Sequence, residues 1–180
     1  MKRDQLEHII RAACAIADDD AVVVIGSQAI LAQYPDAPAE LTQSLEADVY
    51  PEHHPERAEL IDGALGELSM FHGTFGYYAD GVSERTATLP SGWKERLIPV
   101  RNHNTLGKTG WCLEVHDLLI SKYIAGRDKD LRFAAAAARH GLASRNTLLE
   151  RLAGTDVDAV ARDRIRLLID RDHAAAGTKK

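Results

Sequence analysis

The chain has 180 residues, of which 45% are hydrophobic and 27% charged, the composition of an ordinary globular protein that buries a core without metal or disulfide staples. Its longest apolar run, AVVVI, is strand-sized, and its start, MKRDQLEHII, carries acids and lacks an apolar signal region, so a cytoplasmic protein with neither membrane span nor secretory leader is expected. Residues 1–90 hold 5 Lys/Arg against 16 Asp/Glu and residues 91–180 hold 17 against 11, which excludes a uniformly basic nucleic-acid-binding module.

In chain order, residues 4–17 predict a helix, because Leu6, Ile9, Ile10, Ala13, Ile16 and Ala17 recur at helical spacing and Asp4 suits the N-cap. The DDD at 18–20 ends it, and Ala21–Ile25 reads as a short strand buried on both faces. Gly26-Ser27 turns the chain into a helix over Gln28–Gln33, stopped before Pro35. After a loop, Ser44–Tyr50 alternates as a strand and Pro51 marks its end. A helix is expected over 55–66. The stretch FHGTFGYYADGV and the TATLP after it predict two or three antiparallel strands, with one more from Trp93 to Val100. Trp111–Val115 is the last expected strand, followed by helices over 116–125, 128–140, 144–152 and 157–171 and a frayed AAAGTKK tail. The fold class is therefore α/β (α+β). An α/β core spans 1–115, a helical portion packed on it spans 116–175, and 176–180 is the tail.

Side chains alternate along a strand, so Glu46 and Asp48 project from one face while Leu45, Ala47 and Val49 project towards a core. Two carboxylates so placed either line a solvated face or hold a hard cation such as Mg²⁺, which also takes substrate phosphates as ligands. The Gly26-Ser27 corner presents backbone N–H groups and a hydroxyl where a helix begins, an anion site unless Ser27 merely caps its own helix. Further on, Lys122, Arg127, Lys129 and Arg132 interleave with Asp128 and Asp130. Gly126 allows a break there that would let Lys122 and Arg127 hold a triphosphate; an unbroken solvated helix with ion pairs such as Arg127–Asp130 is the alternative. His53-His54 beside Glu52 and Glu56 could hold a metal, although adjacent histidines point apart. Cys14 and Cys112 stand apart in apolar settings and read as free buried thiols. Phe71, Phe75, Tyr77, Tyr78, Trp93 and Trp111 suit core packing or the stacking of a base.

Together GS at 26–27, EADVYP at 46–51, FHGTFGYYADGV, TLPSGWKERL and LEVHDLLISKYIAGRDKDLRFA at 113–134 resemble a family of small bacterial nucleotidyltransferase-like proteins related to the toxins of AbiE-type toxin–antitoxin systems. The resemblance spans roughly residues 20–140. It implies a polymerase-β-type nucleotidyltransferase fold, a short mixed sheet backed by helices. It further implies one or two Mg²⁺ ions on Glu46 and Asp48, and nucleotide phosphates held at Gly26, Ser27 and Lys122. Asp130 matches a later aspartate that the toxins need. The implied activity moves an NMP from an NTP to a hydroxyl of an RNA 3′ end, a protein or a small molecule, with a cognate antitoxin as partner. Glu46 stands where active relatives commonly carry Asp, and the gap from Ser27 to Glu46 is longer than in the usual motif. A catalytically degenerate binding or interaction module on the same fold is therefore the alternative.

Overall fold

A computed structural model of the chain describes residues 1–177. The chain divides into two compact units, one made of Met1–Thr86 with Arg96–Glu114, the other of Ala87–Glu95 with the residues from Val115 onward.

The first unit is built on a five-stranded mixed sheet. Its strands are β1 (Ala21–Val24), β2 (Glu46–Pro51), β3 (Tyr78–Gly81), β4 (Ile98–Val100) and β5 (Thr109–Cys112), in the order β3-β2-β1-β5-β4. β1 takes the centre because AVVV is apolar on both faces, and all four residues are buried. It pairs antiparallel with β2 and parallel with β5, while β3 lies parallel to β2 and β4 antiparallel to β5. Helix α1 (Arg3–Ala17) covers the sheet with Leu6, Ile9, Ile10, Ala13, Cys14 and Ala17, all fully buried. Helices α2 (Ala58–Leu65) and α3 (Met70–Phe75) make up the crossover between the parallel strands β2 and β3.

Several expectations are corrected here. Asp4 lies in the first turn of α1, whose N-cap is Lys2. Residues Ser27–Ala32 form a 3-10 helix in place of an α-helix over Gln28–Gln33, since the short segment between the Gly26 corner and Pro35 leaves little room to establish α-helical hydrogen bonding. FHGTFGYYADGV does not make antiparallel strands. Its first half is α3, started by Ser69, whose Oγ accepts from the His72 N–H at 3.1 Å. Its second half supplies β3. Trp93–Arg96 is a 3-10 turn ahead of β4. Leu45 precedes β2 and is half exposed instead of facing the core.

The second unit is helical: α4 (Val115–Ala125), α5 (Asp128–Arg139), α6 (Arg145–Ala153) and α7 (Ala159–Gly177). Leu118, Leu119, Tyr123, Phe133, Ala137, Leu148, Leu152, Ile165 and Ile169 are buried in it. Two buried acids are partnered within the unit. Asp117 Oδ1 lies 3.3 Å from Arg151 Nε, and Asp172 Oδ2 accepts from the Tyr123 hydroxyl at 3.0 Å. The Arg162 guanidinium donates to the carbonyls of Leu152, Ala153, Thr155 and Val157, closing the end of α6. Helix α7 continues through Ala174–Gly177, part of the AAAGTKK stretch expected to fray, and the rest of that tail, 178–180, lies outside the described residues. Among the described residues no helix is long and apolar enough to cross a membrane.

Candidate functional site

Alternation places Glu46 and Asp48 on one face of β2, both partly exposed, with Ala47 and Val49 buried on the other. The parallel register adds to that face, because Glu46 pairs with Tyr78 and Asp48 pairs with Asp80. Three carboxylates and a phenol thus share one end of the β2–β3 pair. The Tyr78 hydroxyl reaches Glu46 Oε2 at 3.5 Å.

The corner after β1 is tied to the same strand. Ile25 N–H donates to the Asp48 carbonyl at 3.0 Å, so the chain turns directly over that residue. Gly26 follows, and a Cβ placed there would sit 1.9 Å from Asp48 Oδ2 and 2.8 Å from its Cγ. Only glycine leaves that volume for the carboxylate. Ser27 opens the 3-10 helix, closed by Ala29 N–H on the Gly26 carbonyl at 3.0 Å. Behind it Gln28 is fully buried. Its Nε2 lies 3.4 Å from Ser27 Oγ, and its Oε1 has no hydrogen-bond partner among the described residues.

Burial and the negative charges of Glu46, Asp62 and Glu67 push the Asp80 carboxyl up to about 6. Burial and the same acidic surroundings push the Tyr78 phenol up to about 12. This patch concentrates negative charge that a cation would relieve. The donor set fits Mg²⁺, which takes hard oxygens, one or two carboxylates at a time, and completes its shell with water and substrate phosphate. Among the described residues no group of three or more His, Cys, Asp or Glu side chains is arranged to hold a metal by itself.

Asp80 is the residue that sequence reasoning missed. Its signal, an acid in YYADG, becomes meaningful only through the β2–β3 register, which joins segments about thirty residues apart.

In the helical unit, Lys122, Arg127 and Asp130 come together. The chain breaks between α4 and α5 at Gly126, whose φ of 65° is in the left-handed region that glycine adopts readily. Lys122 Nζ lies 3.2 Å from Asp130 Oδ1, and Arg127 Nε 2.5 Å from Asp130 Oδ2. Burial alone would raise the Asp130 carboxyl. The hydrogen bond from Arg127 and the charge of Lys122 outweigh it and hold the group below the usual carboxylate range. Lys122 is mostly buried, whereas the Arg127 side chain is 61% exposed.

The histidine group near residue 53 is structural in its contacts. His53 Nδ1 lies 2.7 Å from Asp19 Oδ1, and Asp19 Oδ2 accepts from the backbone N–H groups of His53 and His54. His54 Nδ1 turns instead to Glu56, at 3.3 Å. Phe71, Phe75, Tyr77 and His8 form a ring cluster with centroid separations of 4.7–6.1 Å, and Tyr78 pairs with His72 at 4.7 Å. Trp111 Nε1 donates to Glu52. Both cysteines are free and buried, and burial pushes each thiol up to about 12.

Residues 4–167 match the model of a protein family described as "Nucleotidyltransferase of unknown function (DUF6036)". No curated protein and no solved structure matches the chain.

Proposed function

We propose, for a chain that belongs to this family of nucleotidyltransferases, a polymerase-β-type fold that moves an NMP from an NTP to a hydroxyl acceptor with Mg²⁺ held by Glu46 and Asp48. The observation that carries the reading is the seat of the Asp48 carboxylate against Gly26. One carboxylate is thereby fixed beside the backbone turn and hydroxyl that would meet a phosphate. Bound Mg²⁺ would supply charge neutralisation and alignment of the phosphates.

The remaining work belongs to the chain. Ser27 Oγ and the N–H groups at the corner donate to phosphate oxygens. Asp80, paired with Asp48 across the β2–β3 register, takes the proton of the acceptor hydroxyl. That oxygen forms a bond to the α-phosphorus while the bond to the bridging oxygen breaks, and pyrophosphate leaves. Lys122 carries, from the resemblance, the role of neutralising phosphate charge, and Arg127 is assigned the same role from its cationic side chain beside the Gly126 break. Asp130, held charged by both, suits positioning Lys122 better than accepting a proton.

The test is incubation of the full chain with labelled NTPs, Mg²⁺ and either bulk tRNA or a protein acceptor, beside Asp48→Asn. Label transfer by the wild type alone supports the enzyme. No transfer, together with no Mg²⁺-dependent NTP binding by calorimetry, assigns the chain to the binding or interaction module that Glu46 and the long gap after Ser27 favour. The toxin role is a separate question, read as growth arrest on expression that Asp48→Asn relieves.

A further inference from the structure

The α2–α3 crossover carries apolar side chains that the fold does not cover. Leu68 is 91% exposed and Met70 89%, Leu60 on α2 and Phe75 at the end of α3 are about half exposed, and no residue of α3 is buried. Leu68 also has a φ of 66°, a conformation that a branched side chain disfavours. Its N–H donates to His72 Nδ1 at 3.1 Å, and the His72 ring packs on Tyr78 of β3. The outward leucine is therefore held by the sheet and is not a frayed tip. Gly63 and Gly73 have nothing standing near their Cβ directions, so neither position blocks a close approach.

Charge identifies what would cover this surface. Glu59, Asp62 and Glu67 are exposed on the same crossover, and residues 40–85 hold ten Asp/Glu against two Arg. Asp62 and Glu67 also act on Asp80, which places their field at the β3 side of the crossover. Such an acidic surface repels nucleic-acid backbones and anionic lipid. It also opposes a two-fold contact of this face with its own copy, which would set acids against acids. Exposed leucine and methionine on the same crossover as exposed Glu59, Asp62 and Glu67 are complementary to a segment with an apolar stripe flanked by Lys or Arg.

We propose that the α2–α3 surface is a docking site for a protein partner that presents a cationic amphipathic segment. The site shares with the proposed transfer chemistry only the charge of Glu67, which acts on Asp80. It uses Leu68, Met70, Glu59 and Glu67 and none of the groups assigned to Mg²⁺ or phosphate.

The experiment titrates the full chain into a fluorescein-labelled amphipathic Leu/Lys peptide and follows anisotropy. A Leu/Glu peptide of the same pattern, labelled polyuridylate and phosphatidylglycerol vesicles are parallel probes, and sedimentation velocity monitors self-association. The Leu/Lys peptide should bind, and Leu68→Ser with Met70→Ser should weaken it roughly tenfold or more through lost apolar burial. Glu59→Gln with Glu67→Gln should weaken it and flatten its salt dependence. Melting curves establish that both double variants fold. The proposal is overturned by no binding of the Leu/Lys peptide, or by binding that Leu68→Ser/Met70→Ser leaves unchanged. Binding of polyuridylate, vesicles or the Leu/Glu peptide that this variant abolishes would also overturn it. Self-association lost in the same variant would assign the face to a second copy and overturn it equally.

Discussion

At Gly26 a single methyl group decides whether Asp48 keeps its place. In Gly26→Ala the new Cβ collides with the end of a side chain that can rotate away, so stability should fall by only about 1 kcal/mol or less. The carboxylate would move, and displacements of an ångström in a reacting geometry commonly cost on the order of a hundredfold in rate. Transfer assays and Mg²⁺ calorimetry on a variant with near-native melting would show this separation; equal loss of both properties would refute it. Asp80 makes the opposite kind of prediction. Its carboxyl titrates at about 6 when folded, against about 3.9 for an unfolded aspartate. Between those values the folded chain keeps a proton that the unfolded chain has lost, so this group's contribution to stability falls as pH rises from about 4 to about 6 and stays low above. Asp80→Asn should therefore stabilise the Mg²⁺-free protein at pH 7 by on the order of 1 kcal/mol after solvent screening, with no gain at pH 3.5, while transfer is lost. Denaturant titrations in chelator at the two pH values check it. Glu46 and Asp48 were legible because alternation is a local property of one strand. Asp80 was not, because no local pattern specifies which strand lies beside it.

Among the elements, the turn after α1 and the turn after β2 are clasped by Asp19 and His53. Burial works to raise the Asp19 carboxyl, but hydrogen bonds from His53 and Ala21 overcome it and bring it down to about 2. The hydrogen bond and charge of Asp19 raise the His53 imidazole in return. The Asp19 contribution is present above the unfolded aspartate value and lost as pH falls through about 2. The His53 contribution is complete below about 6.5, the unfolded histidine value, and lost as pH rises through its raised folded value. The clasp is thus strongest between roughly pH 4 and 6.5. Asp19→Ala should cost about 2–3 kcal/mol at pH 5.5, the range for lost hydrogen bonds to a charged group, and should flatten the alkaline limb of the stability profile. Urea melts across pH would decide it. The same scale explains what could be read in advance. The apolar stripe of α1 and the unbroken AVVV of β1 announce a helix and a central strand from their own residues. The FHGTFGYYADGV segment misleads because glycines and aromatics signal turns and strands, whereas its first half obeys the Ser69 cap and its second half answers to a distant partner.

For the whole molecule, the acidic first half of the chain is plain in composition, but the gathering of Glu46, Asp48 and Asp80 on one face is a product of strand order. Ion binding is the global readout of that gathering. A ligand that favours the folded state raises stability by an amount set by its concentration over Kd, about 1.4 kcal/mol at a tenfold excess. Mg²⁺ should therefore raise the melting temperature of the wild type and leave that of Glu46→Gln/Asp48→Asn unchanged; equal shifts would place the ion elsewhere.

Cys14 and Cys112, sealed in the interior with thiols near 12, leave no native sulfur ready for alkylation at neutral pH. A maleimide dye should ignore the wild-type chain yet couple to one cysteine introduced at an outward position such as Met70. The natural sequence is thus already a background for single-site spectroscopic labelling, with no need to remove either sulfur first.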